Sequence, residues 1–396
     1  FRRWRSAPLP RFATRASTIV PVIILLMVIL EEVYIGTMYI WHMNRYASVV
    51  YKDINVTRNA SSPSIAIVVV LMDRSNEREY ALANETLRCY SALHRYNLRF
   101  VDISANKTLS EICPMPDFMF RRHCVLRRIL DEIPEDWVLF LDADIGIINP
   151  NHLIEEYLPT NQSKHIVFYD RIMNFEIMAG SYLIRNSEYS RRFLKYWADY
   201  YFALPDSFHG TDNGAIHNVV LEFALPYLHT EKAQCNKLWA KSKDFAGLYD
   251  YEVCVRLILN GRDLGGIEIR NKTHPQRWSR DGWLTENVWA PSDFMFHGWQ
   301  KRRMDVMTFA QWHTPFALSP LDTLRGMRSA TEHPTALPPI EEYCRRPETA
   351  SRRWAYKDSF VESDRQVAAR LQVTIADVER KFQDSVIRLK NNKDIK

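Results

Sequence analysis

The chain has 396 residues, 46% of them apolar and 25% charged, so it can bury a substantial core and is too long for a minimal domain. Its net charge of +5 comes from five arginines that precede the first acidic residue, Glu31. Without those five, the remaining 47 basic residues equal the 47 acidic residues, which argues against a nucleic-acid-binding face. We expect one large domain with appendages.

The N-terminal region combines basic residues with an apolar run from Ile19 to Leu30. As a helix this run reaches only about 18 Å, short of a hydrocarbon core of about 30 Å, whereas residues 18–41 would reach about 36 Å. We interpret residues 1–17 as a cytoplasmic tail and residues 18–41 as a signal anchor, which places the remaining chain in the lumen. A cleaved signal peptide and a buried helix are the alternatives, although no small-x-small cleavage site follows Leu30.

Two further features favour a luminal location. Six Asn-X-Ser/Thr sequons are candidate glycan sites: Asn55, Asn59, Asn84, Asn106, Asn161 and Asn271. The six cysteines form an even number, which is compatible with disulfides in an oxidising compartment, although their pairing is not readable from the sequence. Their spacing is not that of a structural zinc site.

The predicted elements alternate between strands and helices. Residues 42–63 are polar and turn-rich and suit an extended stem, and an apolar β-branched run at 64–72 predicts a strand buried on both faces of a parallel sheet. Further strands are predicted at 98–104, 137–141, 165–170 and 179–185, and helices at 77–96, 118–133, 190–202 and 212–225. This order predicts an α/β fold with a mainly parallel sheet flanked by helices.

The character of the sequence changes after residue 310. Residues 311–350 are rich in Pro, Thr and Arg and show little periodicity. A helix is predicted after Thr374, where apolar residues recur at helical spacing: Ile375, Val378, Phe382, Val386 and Leu389. We therefore expect a folded domain at 64–310 and a C-terminal helical extension at 311–396. The last helix is expected to pack on the domain, with partner binding as the alternative.

Two carboxylates, Asp142 and Asp144, follow the apolar residues Val138 to Leu141. Such charges on a tight turn repel each other unless a cation lies between them, and ligands of parallel sheets bind beyond the carboxyl ends of the strands. Mg²⁺ or Mn²⁺, which complete their coordination with substrate phosphates, would satisfy both carboxylates. The alternative is a turn in which either aspartate caps backbone amides.

Four stretches extend this motif into a longer pattern. They are VLFLDADIGIINP (138–150), AGSYLIRNSEYSRRFLKYW (179–197), TDNGAIHNVV (211–220) and FMFHGWQ (294–300). In this order they resemble the GT-A-fold (Rossmann-like) Golgi glycosyltransferases of the galactosyl/mannosyl/xylosyltransferase family, which includes fungal mannan-synthesising enzymes and plant xyloglucan xylosyltransferases. The chain also resembles a nematode-type branch of that family. The resemblance spans roughly residues 64–305.

The resemblance implies a Golgi type II membrane enzyme that moves a sugar from a UDP-sugar to a glycan or glycoprotein acceptor with retention of configuration. It implies Mn²⁺ or Mg²⁺ as cofactor, held by Asp142, Asp144 and His297. Implied contacts with the donor come from Asp142, Gly180 and Ser181. Lys301, which follows the last stretch directly, is a candidate to neutralise the leaving diphosphate, with a solvated basic run as the alternative. The implied catalytic pair is Asp212 and Asn213, with Asp212 stabilising an oxocarbenium-like sugar. The chain departs from the family's pattern at Met178 and Gly298, so the resemblance does not indicate which sugar the donor carries.

Each of these assignments has a plainer alternative. His297 could make an ordinary hydrogen bond at a strand end, and Asp212 could be a helix N-cap. Three tryptophans are candidates for an acceptor platform or for core positions: Trp278, Trp283 and Trp289.

Two other functional classes compete with a transferase. A strand that ends in Asp-x-Asp also opens haloacid-dehalogenase-type phosphatases, but Gly146 occupies a position where those have Thr or Val. A membrane-anchored, non-catalytic protein that keeps the GT-A fold for binding is the stronger alternative.

Overall fold

The computed structural model describes residues 27, 29–32, 49–51, 53–59, 61–317 and 339–391. The strands are β1 (Val49–Tyr51), β2 (Ile65–Leu71), β3 (Asn97–Asp102), β4 (Trp137–Leu141), β5 (Ile145–Ile147), β6 (Ile166–Tyr169), β7 (Ser181–Arg185), β8 (Ile267–Arg270), β9 (Ser279–Asp281), β10 (Met295–His297) and β11 (Ala355–Lys357). The helices are α1 (Ala81–His94), α2 (Lys107–Ile112), α3 (Phe118–Glu132), α4 (Glu188–Asp199), α5 (Thr211–Ala224), α6 (His229–Lys241), α7 (Phe245–Leu259), α8 (Ile340–Cys344), α9 (Pro347–Ala350) and α10 (Asp364–Asn391).

Six strands form the central sheet in the order β3-β2-β4-β7-β6-β8. Strand β7 runs antiparallel to its neighbours β4 and β6, and the other pairs are parallel. The predicted α/β fold with a mainly parallel sheet is therefore confirmed. The antiparallel direction of β7 was not visible in the sequence, because apolar composition reports burial and not strand direction.

Both faces of the central sheet are covered, which explains the unbroken apolar run of β2. Its side chains alternate between two cores: Val68 lies in one with residues of α3 to α7, and Ile67 in the other with residues of α1. The second core also contains Trp354 and Tyr356 from the C-terminal extension. Because every residue of β2 is buried, neither face required polar side chains.

A second, three-stranded sheet positions the candidate site. Its order is β5-β10-β9, with β10 antiparallel to β5 and parallel to β9. The last residue of β10, His297, pairs with Ile145 on one side and with Asp281 on the other. This register brings three distant segments of the chain together at one edge of the domain.

The described part of the C-terminal extension packs on the domain. Strand β11 pairs antiparallel with β1 of the predicted stem. The hydroxyl of Tyr356 donates to the carbonyl of Ile148 at 2.6 Å, and Trp289 N donates to the carbonyl of Phe360 at 2.9 Å. The boundary at residue 310 stays a prediction, but the segments beyond it contribute to the core of the domain.

The last helix begins earlier than predicted. Helix α10 starts at Asp364, ten residues before the predicted start at Thr374. Its apolar face extends through Val367 and Leu371, which pack with Ile172 and other residues of the domain. The predicted apolar face is found against the domain. The predicted start was wrong, because the same face continues toward the N-terminus through these two residues.

Among the described residues, no helix combines the length and apolar character needed to cross a membrane. The predicted signal anchor at residues 18–41 lies outside the described residues, apart from residues 27 and 29–32.

All six cysteines are paired, which agrees with the even number predicted to form disulfides. One disulfide, Cys89–Cys344, joins α1 to α8 across 255 residues of sequence. The others, Cys113–Cys124 and Cys235–Cys254, close short loops. The long-range bridge attaches the C-terminal extension covalently to the domain.

Five of the six sequons are exposed, but Asn84 is buried in α1 with 3% exposure. We expect the chain, when produced through a secretory pathway, to carry glycans only at exposed sequons such as Asn161 and Asn271, because a glycan at Asn84 does not fit the folded domain. Glycopeptide mass spectrometry of the folded protein measures site occupancy. A glycan on Asn84 would contradict the packing of α1.

Candidate metal and nucleotide site

Asp142 and Asp144 lie in the turn between β4 and β5, at the carboxyl end of β4. The backbone of this turn is held by neighbouring segments: Asp142 N donates to the carbonyl of Gly180 at 2.7 Å, and the Asp144 carbonyl accepts from Gly298 N at 3.1 Å and Trp299 N at 3.0 Å. The two carboxylates accept hydrogen bonds from side chains of other segments. These contacts differ from those of a self-capped turn.

His297 faces this turn from the end of β10. Its Nε2 lies 3.4 Å from Oδ1 of Asp144, and its Nδ1 lies 2.7 Å from Oδ1 of Asp281. Burial alone would lower the pKa of His297, but the Asp144 and Asp281 carboxylates outweigh burial and raise it to about 8. Asp281 therefore orients the ring so that Nε2 points toward the two aspartates.

One candidate ligand atom from each of Asp142, Asp144 and His297 lies within 4.8 Å of the others. Two carboxylates and an imidazole are a donor set suited to Mn²⁺ and acceptable to Mg²⁺. Gln300 Nε2 donates to the second oxygen of Asp144 at 2.7 Å and orients that carboxylate. The structure thus brings together the three residues that the sequence predicts as metal ligands, and their residue types fit such an ion.

The carboxylate of Asp142 lies so close to the backbone at position 180 that only a glycine fits there. A Cβ at position 180 would lie 2.0 Å from Oδ2 and 2.6 Å from Cγ of Asp142. Glycine therefore leaves the space that the Asp142 carboxylate occupies. The predicted contact of Gly180 with the donor stays a prediction, whereas its contact with Asp142 is direct.

A buried arginine joins Asp142 to Asp212. Arg122, on α3, forms ion pairs with Oδ1 of Asp142 and, at 2.6 Å, with Oδ2 of Asp212. Burial disfavours the charged guanidinium, but the two carboxylates outweigh burial and raise the pKa of Arg122. Burial, opposed by Arg122 and reinforced by Asp144, raises the pKa of Asp142 to about 6. Arg122 is thus the buried counter-ion of both carboxylates, Asp142 and Asp212.

Asp212 is fully buried, at 0% exposure. Its Oδ2 accepts from Arg122 and also lies 3.1 Å from His123 Nε2, and its Oδ1 accepts from the Thr211 hydroxyl at 3.3 Å. The predicted direct contact of Asp212 with the sugar is at odds with this burial. The alternative of Asp212 as the N-cap of α5 is wrong, because Gly210 occupies that position.

His123 completes this buried network. Its ring stacks on Trp197 with centroids 3.5 Å apart, and Nδ1 lies 2.9 Å from the Tyr182 hydroxyl. Burial lowers the pKa of His123 to about 4, despite the hydrogen bond with Asp212. A neutral imidazole therefore packs behind the site.

The remaining predicted site residues differ in how far they are buried. Ser181 is fully buried, and its hydroxyl accepts a hydrogen bond from the indole of Trp278 at 2.8 Å. The predicted contact of Ser181 with the donor stays a prediction. Asn213 is half-buried in the first turn of α5. Lys301 is exposed in a 3-10 turn, directly after Gln300.

The three tryptophans proposed for an acceptor platform separate clearly by burial. Trp278 and Trp289 are each 1% exposed and belong to the core, which confirms the interpretation as core positions for both. Trp283 is half-buried and remains available to a ligand.

Sequence reasoning missed several residues around the site: Tyr80, Arg122, His123, Asp281 and Gln300. Arg122 carried a usable signal, because it lies four residues from Phe118 and from Leu126, on the buried face of an amphipathic helix. Tyr80 directly precedes α1, and burial followed by the charge of Asp144 raises the pKa of its phenol. No local pattern distinguishes the others.

Comparisons with known proteins agree with the motifs. The profile of a family described as "Protein of unknown function, DUF273" matches residues 87–312, more than half of the chain. The chain is 26% identical over 153 residues to "Probable alpha-1,6-mannosyltransferase MNN10" of Saccharomyces cerevisiae, a match covering 31% of this chain and 38% of that protein. The chain therefore matches little more than a third of that relative's length.

A solved structure is also similar in part. The "Crystal structure of a glycosyltransferase involved in the glycosylation of the major capsid of PBCV-1" matches with a TM-score of 0.29 and 16% sequence identity, covering 35% of this chain and 66% of that one. The chain belongs to the DUF273 family, and the resemblance to a glycosyltransferase family predicted from its four motifs is confirmed by the yeast relative.

Proposed function

We propose that this protein is a metal-dependent glycosyltransferase with a GT-A-type fold that transfers a sugar from a UDP-sugar to a glycan acceptor, with retention of configuration. The observation that carries the proposal is the convergence of Asp142, Asp144 and His297 within 4.8 Å at the carboxyl end of β4. The sequence similarity to a mannosyltransferase supports a sugar as the transferred group.

In this proposal, Asp142, Asp144 and His297 hold the ion beside the nucleotide diphosphate. Such an ion, when bound, neutralises negative charge that develops on the leaving UDP. Gln300 and Asp281 fix the orientation of Asp144 and His297 through hydrogen bonds of 2.7 Å each. Lys301, which is exposed and follows Gln300, is the proposed partner of a phosphate oxygen.

Asp212 takes a different role from the predicted one. Because its carboxylate is enclosed, we propose that it is a positioning residue that acts through Arg122 on Asp142. Asn213, which is half-buried, remains the proposed contact with the sugar and acceptor pocket.

The proposal includes a luminal location in the Golgi. Three disulfides support an oxidising compartment, and the five exposed sequons are compatible with it. The signal anchor at residues 18–41 remains a prediction from the sequence.

A thermal-shift measurement tests the proposal directly. We expect UDP with Mn²⁺ to raise the melting temperature and UDP with a chelator to have no effect, because binding to the folded state stabilises it by mass action. A screen of UDP-sugars for Mn²⁺-dependent hydrolysis then identifies the donor. Binding without hydrolysis of any UDP-sugar would favour the non-catalytic alternative, and the absence of metal-dependent UDP binding would overturn the proposed site.

Metal affinity should rise with pH. Below its pKa of about 8, His297 carries a proton that must leave before Nε2 can act as a ligand, and Asp142 adds a second proton below about pH 6. Protonation therefore competes with binding. We expect the Mn²⁺ affinity to fall roughly tenfold per pH unit between pH 8 and 6, and more steeply below.

Calorimetric titration in two buffers of different ionisation enthalpy measures this proton release, which should approach about one proton at pH 7. The variant His297→Gln should flatten the dependence between pH 7 and 8. An affinity that is constant from pH 6 to 8 in the parent protein would contradict His297 as a ligand.

Asp281→Asn should weaken metal binding without removing a ligand. This substitution keeps the shape of the side chain but removes the charge that orients the imidazole, and such partners typically contribute about 10–100-fold to metal affinity. The Mn²⁺ affinity is best measured at pH 8.5, where proton competition at His297 is small.

Asp305→Asn is the matched control, because Asp305 makes a similar contact with His313 Nδ1, at 2.6 Å, and His313 is not one of the three proposed ligands. Equal Mn²⁺ affinities for the two variants would show that Asp281 has no orienting role.

A further inference from the structure

An exposed apolar loop follows the strand that carries His297. Asp305 N donates to the carbonyl of Trp312 at 3.0 Å and closes this loop. At its tip, Val306 is 47% exposed, Met307 96% and Phe309 69%. Single exposed apolar side chains are ordinary, but three within four residues form a patch that indicates an interaction site. We name residues 306–309 the apolar loop.

The apolar loop is anchored to the candidate metal site. The indole of Trp312 at its base donates to the carbonyl of Gln300 at 2.8 Å, and the side chain of Gln300 donates to Asp144. The position of the loop is therefore coupled through one residue to a proposed metal ligand. This connection distinguishes the loop from an unrelated surface projection.

Trp283 connects the apolar loop to the other side of the site. Its ring lies 5.2 Å from that of Phe309, between centroids. A Cβ built at Gly298 would lie 3.4 Å from Cδ1 of Trp283, so the indole borders the residue that follows His297. Because Asp281 and His297 are paired in parallel strands, the segments that carry Trp283 and Gly298 leave the small sheet side by side.

The chemistry of this surface suits a sugar ring. Aromatic faces pack against the apolar C–H face of a pyranose, and their edges tolerate its hydroxyls. An acceptor must place a hydroxyl near the sugar that is attached to the diphosphate, and Trp283 borders the strand end that holds the proposed metal ligand. A surface made of Trp283 and Phe309 would hold an acceptor ring at that edge.

We propose that Trp283 and Phe309 form the acceptor subsite and bind a pyranose ring of a carbohydrate acceptor. This inference rests on the proposed glycosyltransferase function. It separates Trp283 from the buried Trp278 and Trp289, which have no surface to offer a ligand.

Saturation-transfer NMR tests the subsite with a mixture of methyl α-glycosides of mannose, glucose, galactose and xylose, in the presence of UDP and Mg²⁺. The parent protein should bind at least one glycoside, and Phe309→Ala and Trp283→Ala should bind it roughly tenfold more weakly, the size of one lost aromatic contact. Phe202→Ala is the matched control, because Phe202 is 66% exposed on another surface element, and its glycoside binding should be unchanged. Because Phe309 is itself exposed, its removal should leave the fold intact.

The metal-dependent thermal shift with UDP is measured on the same samples. A parent protein that shows this shift but binds no glycoside, or variants that bind glycosides as the parent does, would overturn the subsite. Binding to vesicles of phosphatidylcholine and phosphatidylserine is measured for the same proteins. If Phe309→Ala lost vesicle binding that the parent shows, but kept the parent's glycoside binding, the result would overturn the subsite in favour of a membrane contact. Suppose that glycoside binding depends on Phe309 but UDP with metal does not raise the melting temperature. This result would support the subsite and overturn the proposed metal and UDP site.

Discussion

Asp144→Asn is expected to abolish Mn²⁺-dependent binding of UDP. Asp144 is 5% exposed, and its two oxygens face His297 and Gln300, so its carboxylate is committed to the centre of the site. A carboxamide keeps the shape but is a much poorer ligand for a hard cation. Changing a residue that only hydrogen-bonds to a metal ligand costs up to about a hundredfold in metal affinity. Because Asp144 is itself a proposed ligand, we expect the affinity for UDP with Mn²⁺ to fall by at least about that factor.

The metal-free variant should unfold at nearly the same free energy as the parent, because the substitution relieves repulsion between Asp142 and Asp144 but also removes the attraction between Asp144 and protonated His297. This expectation separates loss of a ligand from loss of the fold. Thermal shift and calorimetry measure the two properties on one sample, and Asp206→Asn, a change of an exposed aspartate elsewhere, is the control. Normal Mn²⁺-dependent UDP binding by Asp144→Asn would remove the site assignment.

Arg122→Met is expected to destabilise the domain by about 3–5 kcal/mol, the usual cost of removing one member of a buried ionic network. Arg122 is 3% exposed and pairs with both Asp142 and Asp212. Methionine fills a similar volume but leaves the fully enclosed carboxylate of Asp212 with His123 and Thr211 as its remaining side-chain partners in the part of the chain that the structure describes. Urea unfolding with the disulfides intact measures the change in the free energy of unfolding.

A second substitution identifies the cause of this loss. Combining Arg122→Met with Asp212→Asn removes the uncompensated charge, so the double variant should recover part of the lost stability, with a coupling energy of about 0.5–3 kcal/mol. Arg127→Met, on the same helix, alters a partly exposed pair with Asp131 and should cost less than about 1 kcal/mol. Strictly additive effects of the two substitutions would show that Arg122 does not compensate Asp212.

Some features of this protein followed from local sequence. The apolar run at 64–72 predicted a strand buried on both faces, and β2 occupies residues 65–71 with every side chain buried. Strand β4 and the turn with Asp142 and Asp144 were found where the motif predicted them. These predictions succeed because burial on both faces leaves its mark on every residue of a strand, independent of distant parts of the chain.

Other features depended on segments that are far apart in sequence. Asp281 contacts His297 only because β9 and β10 pair in parallel, and both strands are three residues long, too short for a periodic pattern. Arg122 could be recognised as a buried charge from its place on α3, but its two carboxylate partners lie 20 and 90 residues further along the chain.

The sequence by itself therefore determined the alternation of strands and helices and the chemical types of the candidate ligands. Tertiary structure decided which of those groups meet: it brought His297 to the two aspartates, enclosed Asp212 and Ser181, and left Trp283 accessible while burying Trp278 and Trp289. The reason is physical, because side-chain periodicity reports whether a residue is buried, whereas its contacts are set by the pairing and packing of elements that are distant in the chain.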